Sequence, residues 1–362
     1  MKPTCLPLAA RFEVNERRPT TAGQQTKSRA RSPASRDSVT ATARMGGEAK
    51  KLPRIDFSEV DPSAPGGQAW GTARGEVMDA LATFGCFEAH YPALAPRLRA
   101  ELFEGAVRPL FALSADAKRR NCYGADRPFH GYLGDVPGFP GYESLAIVDG
   151  TKDESVRGFA RLMWPDGGDN SDSFCGTVVE AAQRIFQLEE AVRRMVMEGL
   201  GVAKHHDALS ASMWHLFRMS EYKAPNAAEK VVRYGAHQDT NWLSVVCQHE
   251  VAGLEMQSRG GEWIVVQPSP TSLVFMVGNE LRAWTNDRLY APFHRITVAG
   301  DVPRYSAMLF SVPSFQVQVA DELVDDEHPP RFKPHDNNDF VCFCVSEEGA
   351  LHQDKLKAFC GV

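Results

Sequence analysis

The apolar positions of the chain change period near Ser212. Before that point they recur at helical intervals, predicting helices over 67–84 and 95–113, a short turn before Ala117 capped by Asp116, and a long helix over 175–200. In the long helix Val178, Ala182, Ile185, Val192, Val196 and Leu200 form an apolar face, with Glu189, Glu190, Arg193 and Arg194 between them. Beyond Ser212, short runs suited to strands are separated by Gly, Asn, Asp and Pro. They predict strands over 231–234, 242–248, 253–257, 263–267, 272–277, 294–298, 304–311 and 316–319. Short strands at such even spacing predict a sandwich or jelly roll, and a closing helix follows over 347–359. The expected fold is mostly β with flanking helices: a double-stranded β-helix (jelly roll) core beside an N-terminal helical support.

The chain divides accordingly into residues 1–50 as a basic extension, 51–205 as an N-terminal α/β support with the long helix, 206–345 as the jelly roll and 346–362 as a C-terminal helix. Residues 1–44 are rich in Arg, Ser, Thr and Ala, lack either periodicity, and are expected to be disordered. Two readings fit them: a transit peptide, or an extension upstream of a start at Met45, and we favour the second. Residues 128–165 are dense in Gly, Pro and aromatics, so turns dominate there, and such loops often line a site.

Composition narrows the function. Of the 40 Lys and Arg, 11 fall in residues 1–51, against 4 of the 46 Asp and Glu, so the remainder of the chain is acidic. An acidic body without a basic stripe argues against nucleic acid, because phosphate neutralisation needs clustered cations. No apolar run approaches the roughly 20 residues that cross a bilayer, so no membrane partner is expected. The 8 cysteines form no CxxC pair, which supports neither a zinc ribbon nor a redox motif; free thiols in a reducing compartment are the simpler reading. Cys342 and Cys344 stand two apart, the spacing of one strand face, where core packing is expected. A cytoplasmic location follows, or a plastid one if residues 1–44 are a transit peptide. Oligomeric state is not written in the sequence.

The candidate chemistry begins with His237-Gln-Asp239, in which an imidazole and a carboxylate two residues apart share one side of an extended backbone. A second imidazole, His294, opens a later strand. Two His and one carboxylate on one face of an octahedral metal leave three positions open, as Fe(II) requires to bind a chelating cosubstrate and O₂. Alone, a His-x-Asp triplet is weak evidence. Its force comes from Arg304 and Ser306, again two apart, which put a cation into an otherwise apolar strand. An Arg salt-bridged at a strand end would explain the cation equally simply. A buried guanidinium, however, is costly without an anion, and its planar fork matches a carboxylate, with the hydroxyl adding a further hydrogen bond. That pair is a candidate anchor for a dicarboxylic acid, and Tyr222 offers a phenol for the other end of it or packs as a half-buried strand residue.

With these residues, the sequence resembles the plant soluble 2-oxoglutarate- and Fe(II)-dependent dioxygenases, whose hallmark is His-x-Asp, a distal His and Arg-x-Ser. The resemblance runs from about Leu52 to the C-terminus and includes Gly85-Cys-Phe-Glu88, Gly253-Leu-Glu255, Trp284-Thr-Asn-Asp-Arg288 and Pro292-Phe-His-Arg295. Gly131-Tyr-Leu-Gly134, Tyr142-Glu-Ser144, Leu162-Met-Trp-Pro165 and Arg304-Tyr-Ser306 are similar to the branch of glucosinolate side-chain-modifying and auxin-oxidising dioxygenases. The resemblance implies that His237, Asp239 and His294 bind iron and are catalytic, while Arg304, Ser306 and Tyr222 hold 2-oxoglutarate. Ser220 and Asn279 depart from the wider family, where Asn and Asp are usual; Asn279 is expected in a turn.

The implied reaction is oxidation of a small plant metabolite or hormone by hydroxylation, desaturation or ring closure, coupled to decarboxylation of 2-oxoglutarate to succinate and CO₂. Fe(II), 2-oxoglutarate and O₂ are the implied cofactors, with ascorbate as reductant. The substrate pocket is expected from His130, Tyr132, Tyr142, Trp242 and Phe310. His205, His206, His215 and His249 are read as surface or satisfied core residues. Two rivals remain: a catalytically silent metabolite-binding jelly roll, and a cupin-like metal enzyme that does not use 2-oxoglutarate.

Overall fold

The computed structural model describes residues 51–124, 127, 129–134, 136 and 138–362; the expectations for residues 1–44 lie outside them. The chain opens with strand β1 (Arg54–Asp56), helix α1 (Gly67–Thr83) and β2 (Cys86–His90). One helical rod then runs through α2 (Pro96–Ala100), a π-helical stretch Glu101–Val107 and α3 (Arg108–Phe111). After α4 (Ala115–Lys118) come β3 (Leu133–Gly134), β4 (Tyr142–Val148), α5 (Asp153–Met163), the long α6 (Asp169–Gly199) and α7 (His206–Ala211). Strands β5 (Met213–Tyr222), β6 (Ala227–His237), β7 (Leu243–Gln248), β8 (Leu254–Gln257), β9 (Trp263–Val265) and β10 (Ser272–Val277) lead to α8 (Asn279–Trp284). The chain finishes with β11 (His294–Gly300), β12 (Arg304–Pro313), α9 (Asn337–Cys344), α10 (Glu347–Ala350) and α11 (Lys355–Cys360).

Among the described residues the strands form two sheets, one of eight in the order β1-β2-β10-β7-β12-β5-β4-β3 and one of four in the order β6-β11-β8-β9. Strands from both sides of Ser212 therefore share the larger sheet. Its two faces are separated by strand parity. Leu243, Val245 and Cys247 of β7, Phe217 and Met219 of β5, and Phe275 of β10 join the core that α1 and α6 cover through Trp70, Val77, Leu81, Val178, Ile185 and Val192. The alternate residues Val246, Val274, Met276 and Tyr222 face the smaller sheet, meeting Leu254, Met256, Ile296 and Val298. With both faces covered, β7 and β10 are buried at every position, which explains their nearly unbroken apolar runs. This mostly-sheet body with flanking helices is a jelly-roll core on a helical support.

Several expectations need correction. Ser114, not Asp116, caps α4, its side chain accepting from the Ala117 amide, while Asp116 adds a favourable charge in the first turn. Residues 316–319 contribute only an isolated bridge, Val317 to His335. Cys342 and Cys344 lie on helix α9, not a strand, because the Asp336 side chain caps the segment on the Asn338 amide; Cys342 is exposed and Cys344 half-buried. The closing helix is two short ones, since Ser346 and Asp354 each start a new turn. Within residues 128–165, β4 and α5 are regular despite the Gly and Pro around them. Asn279 opens helix α8 rather than sitting in a simple turn.

Candidate active site

Strands β6 and β11 pair with His237 opposite His294, and their rings stand 4.1 Å apart between centroids. Asp239 follows β6 by two residues. Its Oδ1 lies 3.5 Å from His237 Nε2 and 3.7 Å from His294 Nε2. This is the one group of three such donors within 4.8 Å of one another among the described residues. His237 Nδ1 is 2.9 Å from the Gly235 carbonyl, so as a donor there it leaves Nε2 free for a ligand bond. Burial opposes the charge of Asp239, but His294, His237 and the Ser244 hydroxyl outweigh it and hold the carboxyl far below its ordinary range. Burial and the neighbouring His237 push His294 down to about 4. A carboxylate with a neutral imidazole beside it is the donor set that a divalent iron takes.

A second layer fixes the loop that carries Asp239. Ser244 on β7 donates to Asp239 Oδ2 at 2.5 Å, and the Asn279 amide donates to the Asp239 carbonyl at 2.8 Å. Gly278 makes that approach possible, because a Cβ there would fall 1.9 Å from the Asn241 carbonyl oxygen. Buried Glu280 follows, paired with His335 Nε2 at 2.7 Å and with Asn337 Nδ2 at 2.9 Å. Asn337 also donates to the Thr240 carbonyl, so the C-terminal segment straps the loop from outside.

Arg304 opens β12 on the same inner face and is fully buried. Its partners are neutral: Gln248 Oε1 at 2.9 Å, Ser306 Oγ at 3.5 Å and the Tyr222 ring 5.0 Å from Cζ. Its Nε has no hydrogen-bond partner, and no carboxylate pairs with it among the described residues. Burial lowers its affinity for the proton, with Tyr222 opposing. Gly253 leaves room for the side chain, since a Cβ there would lie 2.7 Å from Arg304 Cδ. A buried cation cushioned by neutral groups awaits an anion. Tyr222 stands directly across from Arg304 in the β5–β12 register, and burial raises its phenol to about 12. It therefore flanks the Arg304 end of the site, not the opposite end.

The pocket candidates separate by face. Tyr142 on β4 lies inside, 5.1 Å from both Tyr222 and Tyr234. Phe310 shares the parity of Arg304 and Ser306 and pairs with Ser244, the residue bonded to Asp239. His130 stacks on Trp214 at 5.0 Å, over the inner side of β5. Two candidates fall elsewhere. Trp242 packs in the helix-covered core against Trp284 (5.6 Å) and Phe315 (5.9 Å), because it precedes β7 and the Asp239 loop turns it outward. Tyr132 packs on the same outer core beside Lys118. The sequence reading missed Gln248, Arg218 and Tyr234, and it did not single out Ser244 and Phe139 within the strand and loop expected to line the pocket. Arg218, Ser244 and Gln248 were findable by carrying strand parity from Tyr222 along β5 and onto β7. Tyr234 stacks on Phe139 at 4.4 Å and lies 4.6 Å from His237, a contact made by a loop no periodicity predicts.

Residues 213–313 match the model of the 2OG-Fe(II) oxygenase superfamily. The chain is 37% identical over 316 residues to a probable 2-oxoglutarate-dependent dioxygenase, AOP1.2, of Arabidopsis thaliana, covering 85% of this chain and 95% of that protein. The crystal structure of a rice dioxygenase for auxin oxidation superposes with a TM-score of 0.71 at 30% identity, covering 86% of this chain and 100% of that one. The Arabidopsis thaliana dioxygenase for auxin oxidation 1, in complex with 2-oxoglutarate, shares the fold with a TM-score of 0.67 at 24% identity, over 77% of this chain and 100% of that one. No helix among the described residues is long and apolar enough to cross a membrane. By this kinship the chain belongs to the 2-oxoglutarate- and Fe(II)-dependent dioxygenases.

Proposed function

We propose that this dioxygenase hydroxylates, desaturates or ring-closes a small plant metabolite or hormone, with Fe(II) held by His237, Asp239 and His294 and the distal carboxylate of 2-oxoglutarate held by Arg304, Ser306 and Tyr222. Ascorbate serves as reductant and the cytoplasm as location in this reading. The observation that carries it is Arg304, a fully buried cation whose partners are all neutral and whose Nε is unpaired. When bound, iron, 2-oxoglutarate and O₂ supply an oxidant able to break a C–H bond, releasing succinate and CO₂.

The protein's share is placement. Arg304 and Ser306 stand toward one end of the inner face of β12 and Phe310, opposite Ser244, toward the other, so the anchor would hold the distal carboxylate of a five-carbon diacid while the His-Asp-His group would hold the iron that takes its keto end. Gln248, itself on the inner face of β7, keeps the Arg304 fork oriented before the ligand arrives. Tyr142, Tyr222 and Tyr234 form an apolar wall that excludes water from the reacting end. Succinate release under air with added Fe(II) tests the reading. It should require 2-oxoglutarate and rise with the right substrate; Fe(II)-loaded protein that neither binds nor consumes 2-oxoglutarate would refute it.

A further inference from the structure

Arg99, on α2, is 6% exposed and gives its fork to the main chain. Its Nη1 donates to the Gln248 carbonyl at 2.9 Å and to the Ser269 carbonyl at 2.8 Å, and its Nη2 donates to the Ser272 carbonyl. Two of these oxygens lie where neighbouring strands part. The antiparallel pairing of β7 with β10 runs from Leu243–Val277 to Val246–Val274 and stops there. Continued by two residues, the same register would set Gln248 opposite Ser272. Instead both carbonyls meet Arg99, whose planar fork carries several donors in fixed directions and so joins the two strand ends through one side chain.

Gln248 is held from other directions as well. It stands opposite Ser306 in the pairing of β7 with β12. Its Oε1 accepts from Arg304 Nη2 at 2.9 Å, and its Nε2 donates to the Val266 carbonyl at 3.3 Å. The bond at Nε2 is what turns Oε1, the acceptor, toward the guanidinium. The next amide, of His249, donates to the Tyr305 carbonyl at 3.1 Å, between Arg304 and Ser306 in sequence. One residue therefore joins two buried arginines: the Gln248 carbonyl meets Arg99, and the Gln248 side chain meets Arg304.

We infer that Arg99 is a positioning residue for the cosubstrate: it fixes the end of β7, so that Gln248 aims the Arg304 fork at the distal carboxylate of 2-oxoglutarate. The inference rests on the anchor role given to Arg304 above and extends it to a helix that touches no ligand. Nothing passes along this relay but geometry. A Gln248 main chain free to shift would carry its side-chain oxygen away from Arg304, and the guanidinium would then have to be ordered at the moment of binding. A plainer role is open to Arg99, that of a clamp between α2 and the sheet. A clamp would serve stability and treat every ligand alike.

The test compares two ligands that differ only where Arg304 acts. Protein loaded with Fe(II) is titrated calorimetrically under anaerobic conditions with 2-oxoglutarate and with 2-oxopentanoate, which keeps the keto acid and the five-carbon length but lacks the distal carboxylate. The native protein should prefer 2-oxoglutarate by at least about a hundredfold. Arg99→Met should cut that preference about tenfold or more and Arg99→Lys by less, with affinity for 2-oxopentanoate and Fe(II) unchanged. In turnover the loss should appear as a higher KM for 2-oxoglutarate with kcat kept at saturation. Gln248→Met should lower the preference too, and adding Arg99→Met to it should do nothing further, because the two side chains act along one line. An Arg99→Met protein that keeps the native preference overturns the inference, and so does one that weakens both acids equally, the mark of a clamp. Full additivity with Gln248→Met overturns it as well. Should Arg99→Met fail to fold, the same ratio measured on Arg99→Lys decides. The two levels come apart in these data: a native protein without the preference, or an Arg304→Met protein that keeps it, sinks the anchor reading and the relay with it. A preference lost in Arg304→Met but intact in both Arg99 variants sinks the relay alone.

Discussion

The two faces of the large sheet each bury an arginine, and they treat it in opposite ways. Under the helices Arg193 on α6 sits between two acids, with Glu189 Oε2 at 3.3 Å and the Glu190 carboxylate closer still. Burial opposes the charge of Glu189, but Arg193 and then His215 hold its pKa below the ordinary range. Between the sheets Arg304 is just as buried and has only Gln248, Ser306 and Tyr222 around it. Arg193 thus has its counter-charge within the chain. On the inner face no acid among the described residues faces Arg304, and in the proposed function that charge comes from the ligand, which is how a binding site would differ from a structural ion pair made of the same residue type.

Four substitutions probe that contrast. Asp239→Ala, which removes the only carboxylate of the metal group, should cut 2-oxoglutarate turnover on the order of 10³-fold and release Fe(II) in equilibrium dialysis. Arg193→Met leaves Glu189 buried without its cation, and urea unfolding should record a loss of about 3–5 kcal/mol. His335→Gln tests the strap behind the metal loop. Burial lowers the His335 pKa, but hydrogen bonds to Cys360 and Glu280 outweigh it and raise it to about 10 from 6.5. A raised pKa means the stabilisation is complete below pH 6.5 and lost as pH rises through about 10. The native protein should exceed His335→Gln by about 1–3 kcal/mol at pH 6, the gap closing toward pH 10; a gap that is constant with pH would remove the charge from the argument. Arg304→Met should move unfolding of the ligand-free protein least, within about 1 kcal/mol or in the stabilising direction, because no acid is left stranded. If Arg304→Met and Arg193→Met destabilised equally, the contrast between the faces would be gone.

Much of this was legible before any coordinates. The 272–277 strand has the observed bounds, since a run buried on both faces is apolar throughout. His237 and Asp239 could be paired because residues two apart share a strand face, and Arg304 with Ser306 for the same reason; His294 joined the first pair through the resemblance to the family's distal His. What stayed hidden depends on tertiary contact. Strand β4 begins just after Gly138, Pro140 and Gly141, which read as turn residues, and only its pairing with β5 makes it a strand. Trp242 and Tyr132 have the composition of pocket residues, but a loop and a two-residue strand send them to the other face. Cys342 and Cys344 show the same limit: a two-residue spacing suits a strand, and the Asp336 cap makes the segment helical. Arg218 was within reach by parity from Tyr222.

The central claim is that the charge missing beside Arg304 belongs to 2-oxoglutarate. The direct measurement is thermal or urea unfolding of Fe(II)-loaded native protein and Arg304→Met under anaerobic conditions, with and without 2-oxoglutarate. At about a hundred times its Kd the ligand should stabilise the native protein by roughly 2.7 kcal/mol, and the same concentration should do almost nothing for Arg304→Met. Equal stabilisation of both proteins would mean that 2-oxoglutarate binds without Arg304, and the account would be wrong.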